Sequence, residues 1–254
     1  MNLRKQTLIF TVLFLCEFIF LSFCAFSQES VIQEIHLALP SIVEITSQNT
    51  IMAKGPQSVA IDKNTGNLVH LKGIKKAAYT RSGSGIIIDP NGTIATNAHI
   101  VSGAHKIAIR LFDGKIVTGA PLFVMNDQDI AFIKITPPYP LTRIDFANST
   151  NISLGNEIIT VGSSPFLKKT ISAGRIIGLA KKRNPHSTHE ADFLHVSLNI
   201  YHGDSGGPLF NPKGQLLGLM VAGQMQSDRS SFAIPSNKIL KFYLEYLKSN
   251  ERQN

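Results

Sequence analysis

The segment Gly203-Asp204-Ser205-Gly206-Gly207-Pro208 sets one serine among glycines. Glycines allow a sharp backbone turn that lifts the hydroxyl out and aims successive amides at one point. An oxyanion that develops when a hydroxyl attacks a carbonyl needs such amides. The expected oxyanion hole is therefore Gly203, Asp204 and Ser205, with the N–H groups of Gly203 and Ser205 as donors. Serine alone is a poor nucleophile at neutral pH and requires an adjacent base.

Among eight histidines, His99 is the candidate base. It stands in Thr96-Asn97-Ala98-His99-Ile100-Val101, after a strand pattern and before a Ser-Gly turn. Imidazole, with an unperturbed pKa of about 6.5, suits proton shuttling near neutral pH. His105 is expected on a loop surface and His202 near a cleft. His186 and His189 have pair spacing but no carboxylate or cysteine companions, so no metal site is expected. Asp129 opens the apolar run Asp-Ile-Ala-Phe-Ile-Lys-Ile and is expected to orient His99 from a partly buried position. Asp127, two residues earlier, is the alternative. The expected catalytic set is His99, Asp129 and Ser205, with no cofactor.

These residues must be carried by strands. Short Val/Ile/Leu/Phe runs recur between Gly, Asn, Asp and Pro, which indicates an all-β body. SIVEITS (41–47) reads as a strand, and Gln48 to Ser82 as a long loop or extended hairpin. GSGIIIDPNGTIATNAHIV then reads strand, turn at Asp89–Gly92, strand. Further strands are predicted at 106–112, 116–124, 130–135, 157–162, 170–180, 193–198, 208–211 and 215–222. A Pro/Asn/Ser/Thr-rich linker near 137–151 divides the chain. The predicted architecture is two six-stranded antiparallel β-barrels, over 28–145 and 146–254. Helical spacing predicts a short helix or arm at 31–39 and a closing amphipathic helix at 235–247.

Residues 1–27 carry Arg4 and Lys5, an apolar run from Leu8 to Phe23, and small residues at Ala25 and Ser27. That is the layout of a signal peptide, with an uncleaved membrane anchor as its rival. Both cysteines, Cys16 and Cys24, lie in it, so disulfides are not expected to hold the mature fold. Export to a bacterial periplasm or medium is the expected location, with membrane association only if the segment stays attached. The formal net charge is +8. Its lysines and arginines fall in separate loop-like stretches without aromatic interleaving, so nucleic acid is not an expected partner.

The order His, Asp, Ser with GDSGGP resembles the chymotrypsin clan. The segments SGSGIIIDPNGTIATNAHIV, DIAFIKI, GSSPF, TISAGRIIGL, GDSGGPLFN and FAIPSN resemble the HtrA/Deg group within it. That resemblance covers roughly 40–244 and implies two perpendicular six-stranded barrels with the triad between them. It implies a serine endopeptidase acting on unfolded or exported polypeptides, often as a homotrimer through the N-terminal segment. It also implies a primary specificity pocket with Asn199 and Ile200 at its base and Val221 and Ala222 on its wall. A base without acidic charge points to small or medium apolar residues before the scissile bond.

Three features depart from that group. No PDZ module is expected in the chain, and 48–82 is a long insertion. Asp204 stands where the group has Asn, with a basic side chain or loop backbone as its expected partner. Narrow processing activity, and an inactive protease-fold binding or chaperone protein, are the competing functions.

Overall fold

The computed structural model describes residues 30–61, 68–162, 170–183, 190–200, 203–221 and 230–251. The N-terminal 1–27 and the residues His186, His189, His202 and Ala222 lie outside them. A helix over 30–38 (α1) runs into a 3-10 turn at Leu39–Ser41. Pro40 falls within that turn, where its ring stops the helix and starts the extended chain.

The first barrel holds β1 (Ile42–Ile61), β2 (Leu68–Asp89), β3 (Thr93–Thr96), β4 (Lys106–Arg110), β5 (Ile116–Met125) and β6 (Ile130–Ile135). A four-residue helix, α2 (Ala98–Val101), follows β3. The strands close in the antiparallel order β1-β2-β3-β6-β5-β4. The second barrel holds β7 (Glu157–Gly162), β8 (Thr170–Arg183), β9 (Glu190–Val196), β10 (Pro208–Phe210), β11 (Leu216–Val221) and β12 (Ser231–Pro235). It closes in the order β10-β11-β12-β9-β8-β7. The last element is the helix α3 (Ser236–Glu251).

The uninterrupted apolar runs follow from burial on both strand faces, because side chains alternate with period two. In β2, Ile87 faces the interior of the first barrel while Ile86 and Ile88 face the layer between barrels. In β6, Ala131 and Ile133 point in, and Ile130 and Phe132 point to the same layer. The second barrel repeats the arrangement, with Ile158, Leu194 and Leu209 inside and Ile159, Phe193 and Phe210 outside. This shared layer is capped by Ile239 and Tyr243 of α3 and by Ile35 and Ala38 of α1. Tyr243 sets its ring edge-on to Phe132 at 5.3 Å and donates its hydroxyl to Asp89 Oδ2 at 3.3 Å. Both helices therefore fix the relative placement of the barrels.

Several boundaries differ from the sequence pattern. Of the two readings of 48–82, long loop or extended hairpin, the pairing is that of the hairpin: β1 and β2 pair from Ile42↔Ile86 out to Ile61↔Leu68, with one irregularity between Lys54 and Gln57. β8 runs on to Arg183, past the expected 180, because β9 starts at Glu190 and pairs with its extension. β12 carries the Phe-Ala-Ile-Pro run and completes the second barrel; it is not among the predicted strands because it runs straight into α3 without an intervening turn. Among the described residues, no helix is long and apolar enough to cross a membrane.

Candidate active site

His99 sits in α2, just after β3. Its side chain is 20% exposed, whereas that of Asp129 is 1% exposed. The His99 Nδ1 lies 3.0 and 2.9 Å from the two carboxylate oxygens of Asp129. The backbone N–H of His99 also donates to Asp129 Oδ1, at 2.9 Å. One carboxylate thus holds both the ring and the main chain of the histidine, which fixes the tautomer with its proton on Nδ1.

Asp129 reaches this position by local backbone geometry rather than as the first residue of a strand. It caps a 3-10 turn at Asn126–Gln128 with φ 55° and ψ 38°, and β6 begins only at Ile130. Among the described residues it is the non-glycine with positive φ. Left-handed backbone disfavours a residue with a Cβ, and Asp tolerates it better than most. The Asn97 side-chain amide donates to the Asp129 carbonyl at 3.2 Å. Asn97 is fully buried, and its Oδ1 is the buried side-chain atom without a hydrogen-bond partner among the described residues. Asp127, the alternative carboxylate, lies exposed in the 3-10 turn and is not the residue facing His99.

The serine turn 203–207 is buried throughout. Gly203 has φ 106° and Gly206 φ 75°, conformations that side chains rarely adopt. A Cβ on Gly206 would strike the Ser84 carbonyl and Thr96 Oγ1 and would crowd Ile100 Cδ1. The turn therefore lies against the end of β3 and the start of α2, the segment that carries His99. Ser84 of β2 bridges the two: its N–H donates to the Ser205 carbonyl at 2.8 Å and its Oγ to the Gly203 carbonyl at 2.8 Å. Thr96 Oγ1 in turn donates to the Ser84 carbonyl at 2.7 Å.

Asp204 is 8% exposed and packs its carboxylate on Gly162, the last residue of β7; a Cβ at Gly162 would stand 2.8 Å from Asp204 Oδ1. Of the expected pocket residues, Asn199 is exposed, and Ile200 is half-buried against the core of the second barrel. Val221 is 3% exposed and belongs to the layer between barrels. Ser231 donates its hydroxyl to the Leu198 carbonyl at 2.6 Å, next to Asn199. His105 is exposed, away from the pair. Among the described residues no group of three or more His, Cys, Asp or Glu is arranged to hold a metal.

Sequence reasoning passed over Ser84, Asn97, Gly162 and Ser231. Each is a small or polar residue; Ser84, Asn97 and Ser231 are buried and Gly162 is half-buried. The signal that was available is that SGSG and TNAH place polar side chains inside otherwise apolar strand patterns, where a buried polar group demands a partner.

A family model described as "Trypsin-like peptidase domain" matches residues 83–219, slightly more than half of the chain. A Xenopus tropicalis protein named Serine protease HTRA1 is 32% identical over 187 residues, covering 71% of this chain and 38% of that protein. A Haemophilus influenzae protein named Probable periplasmic serine protease do/HhoA-like is 30% identical over 171 residues, covering 66% and 37%. A rat protein, Serine protease HTR4, is 30% identical over 209 residues, covering 77% and 41%. The chain thus spans about two-fifths of the length of these curated relatives. In structure it is similar to the HtrA-type protease AlgW solved with a decapeptide, with TM-score 0.71 and 23% identity over 86% of this chain and 67% of the other.

Proposed function

This chain belongs to the trypsin-like peptidase family, with HtrA proteases among its relatives, and from that premise we propose that it is a serine endopeptidase using Ser205, His99 and Asp129. The observation that carries this reading is the double contact of Nδ1 with the buried Asp129 carboxylate, on a segment packed against the Ser205 turn. Ser205 Oγ attacks the scissile carbonyl while His99 Nε2 removes its proton. Asp129 stabilises the imidazolium without taking the proton itself. The carbonyl oxygen gains the negative charge and accepts from the Gly203 and Ser205 N–H groups. His99 then returns the proton to the leaving amine. Water, deprotonated by the same imidazole, attacks the acyl-enzyme and releases the acid.

The substrates we propose are polypeptides presented in extended form, with a small or medium apolar residue before the cleaved bond, seated near Asn199, Ile200, Val221 and Ala222. Exported or unfolded proteins are the proposed source. Removal of 1–27 and release into the periplasm or medium agree with the periplasmic name of the Haemophilus relative. No cofactor enters the scheme.

The test exposes the purified chain to a fluorophosphonate probe and to unfolded casein, alongside Ser205→Ala. Labelling and cleavage that disappear together in the variant support the reading. A folded wild-type chain that neither labels nor cleaves overturns it.

A further inference from the structure

The serine turn is built from glycines and so has little stiffness of its own, yet oxyanion stabilisation requires its N–H groups to be aimed before the reaction begins. In a planar trans peptide the carbonyl and the N–H point in opposite directions, so whatever holds the oxygen also aims the N–H. Three consecutive units of the turn are held at their oxygens. The Gly203 carbonyl accepts from Ser84 Oγ at 2.8 Å, the Asp204 carbonyl from the Gly207 N–H at 2.9 Å, and the Ser205 carbonyl from the Ser84 N–H at 2.8 Å. The Gly206 N–H is also held, donating to the Met220 carbonyl at 2.9 Å.

One residue, Ser84, holds two of those three oxygens, and it comes from the other barrel. The middle unit, whose N–H belongs to Ser205, lies between the two that Ser84 fixes. Ser84 is itself fully buried and anchored from behind, because Thr96 Oγ1 donates to its carbonyl at 2.7 Å. Its strand register, Ser84↔Glu44 in the β1–β2 pair, further prevents it from drifting.

We propose that Ser84 is a positioning residue, whose hydroxyl holds the Gly203 carbonyl in the peptide adjoining that of the Ser205 N–H and thereby keeps this oxyanion-stabilising N–H aimed at the reacting carbonyl. This inference rests on the reading of Ser205 as nucleophile. Without the hydroxyl, the buried Gly203 carbonyl loses its donor, and rotating that peptide to reach another carries the neighbouring N–H groups with it. The β1–β2 hairpin and the oxyanion hole are then mechanically joined through one side chain.

The experiment measures fluorophosphonate labelling of Ser205 in the full chain as a function of probe concentration, giving a maximal rate and a half-saturation constant. Variants are Ser84→Ala and, as a control, Ser41→Ala. Ser41 is an equally buried serine whose Oγ donates to the Ala38 carbonyl at 2.6 Å, at the start of the first barrel. Loss of a whole oxyanion donor costs about 10²–10³ in rate. Ser84→Ala keeps the donors but mis-aims them, so the expected fall in maximal rate is roughly 10- to 100-fold. Half-saturation stays within about two-fold, since the initial encounter does not use the developing charge.

Amide hydrogen exchange across 203–210 rises in Ser84→Ala, and Ser41→Ala lowers the melting temperature without slowing labelling. Ser84→Ala labelled at the wild-type rate overturns the proposal, as does equal slowing in Ser41→Ala. A wild-type chain that fails to label sinks the proposed enzymatic function instead. The clasp is then judged on exchange alone, where faster exchange in Ser84→Ala upholds it and unchanged exchange overturns it.

Discussion

Asn97 donates its side-chain amide to the main-chain carbonyl of Asp129, at 3.2 Å, while its own Oδ1 is buried without a partner among the described residues. The bond reaches the residue held at φ 55°, where the backbone is least comfortable for a side chain. The arrangement supports the left-handed peptide of Asp129, and so aims both carboxylate oxygens at His99.

Asn97→Ala removes a bond that stabilises by about 0.5–1.5 kcal/mol and an orphan acceptor whose burial costs about 1–3 kcal/mol, but it also leaves the Asp129 carbonyl without that donor. These effects oppose one another, so global stability in urea changes by no more than about 1 kcal/mol. Peptidase turnover falls roughly 10-fold, because the carboxylate is no longer held in line. Parallel denaturation and casein-cleavage assays check this; a large stability loss with full turnover contradicts it.

Asp129→Asn keeps the shape of the pair but replaces an acceptor-only group with an amide that presents N–H as well. The imidazole then settles in the wrong tautomer, and the expected loss of turnover is on the order of 10³–10⁴. The fold persists, as near-ultraviolet circular dichroism can check. Turnover within about ten-fold of wild type removes Asp129 from its assigned role.

Gly162→Ala places a methyl 2.8 Å from Asp204 Oδ1. The clash must push Asp204, and Asp204 is one residue from Ser205. Overpacking of this kind costs about 1–3 kcal/mol. Labelling of Ser205 slows together with the drop in melting temperature. Asp204→Asn, which retains the side chain's size, separates volume from charge: unchanged activity in that variant rules out a specific part for the negative charge.

Lys238, in the first turn of α3, is held below the ordinary lysine range by burial, an effect partly opposed by the charge of Asp192. The unfolded chain therefore binds more protons than the folded one as pH rises towards the normal lysine pKa, so the contribution of this residue to stability grows with pH there. Lys238→Met removes the desolvated ammonium while keeping the apolar stem. Its melting temperature exceeds that of wild type at pH 7, and the difference shrinks as pH rises through the lowered folded-state pKa towards the ordinary lysine value of about 10.4, where the wild-type ammonium loses its proton. An unchanged or lower melting temperature at pH 7 contradicts the prediction.

Much of the site was legible in the chain before its shape was considered. Gly203–Pro208 needs its glycines for positive φ at 203 and 206, and that requirement is written in residue types alone. His99 was distinguishable from His105 because one follows an apolar strand and the other a Ser-Gly turn, and the structure leaves His105 exposed. β6 and β7 were readable to the residue because their apolar runs end on turn residues. β12 was not, since Ser231–Pro235 runs straight into α3 with no intervening turn to mark its end.

The sequence by itself determined the chemical inventory: one serine in a glycine turn, one histidine after a strand, and an aspartate before an apolar run. The apolar run already put Asp129 ahead of Asp127, and tertiary structure decided how that carboxylate comes to face the histidine. Asp127 and Asp129 are chemically the same and two residues apart, and only the turn at Asn126–Gln128 buries the second against His99. The same holds for Ser84, 121 residues from Ser205, whose hydrogen bonds exist because two separately closed barrels pack through a common apolar layer. Local patterns encode strands and turns through backbone preference, whereas contacts between distant segments are fixed only when burial on both faces locks the barrels together.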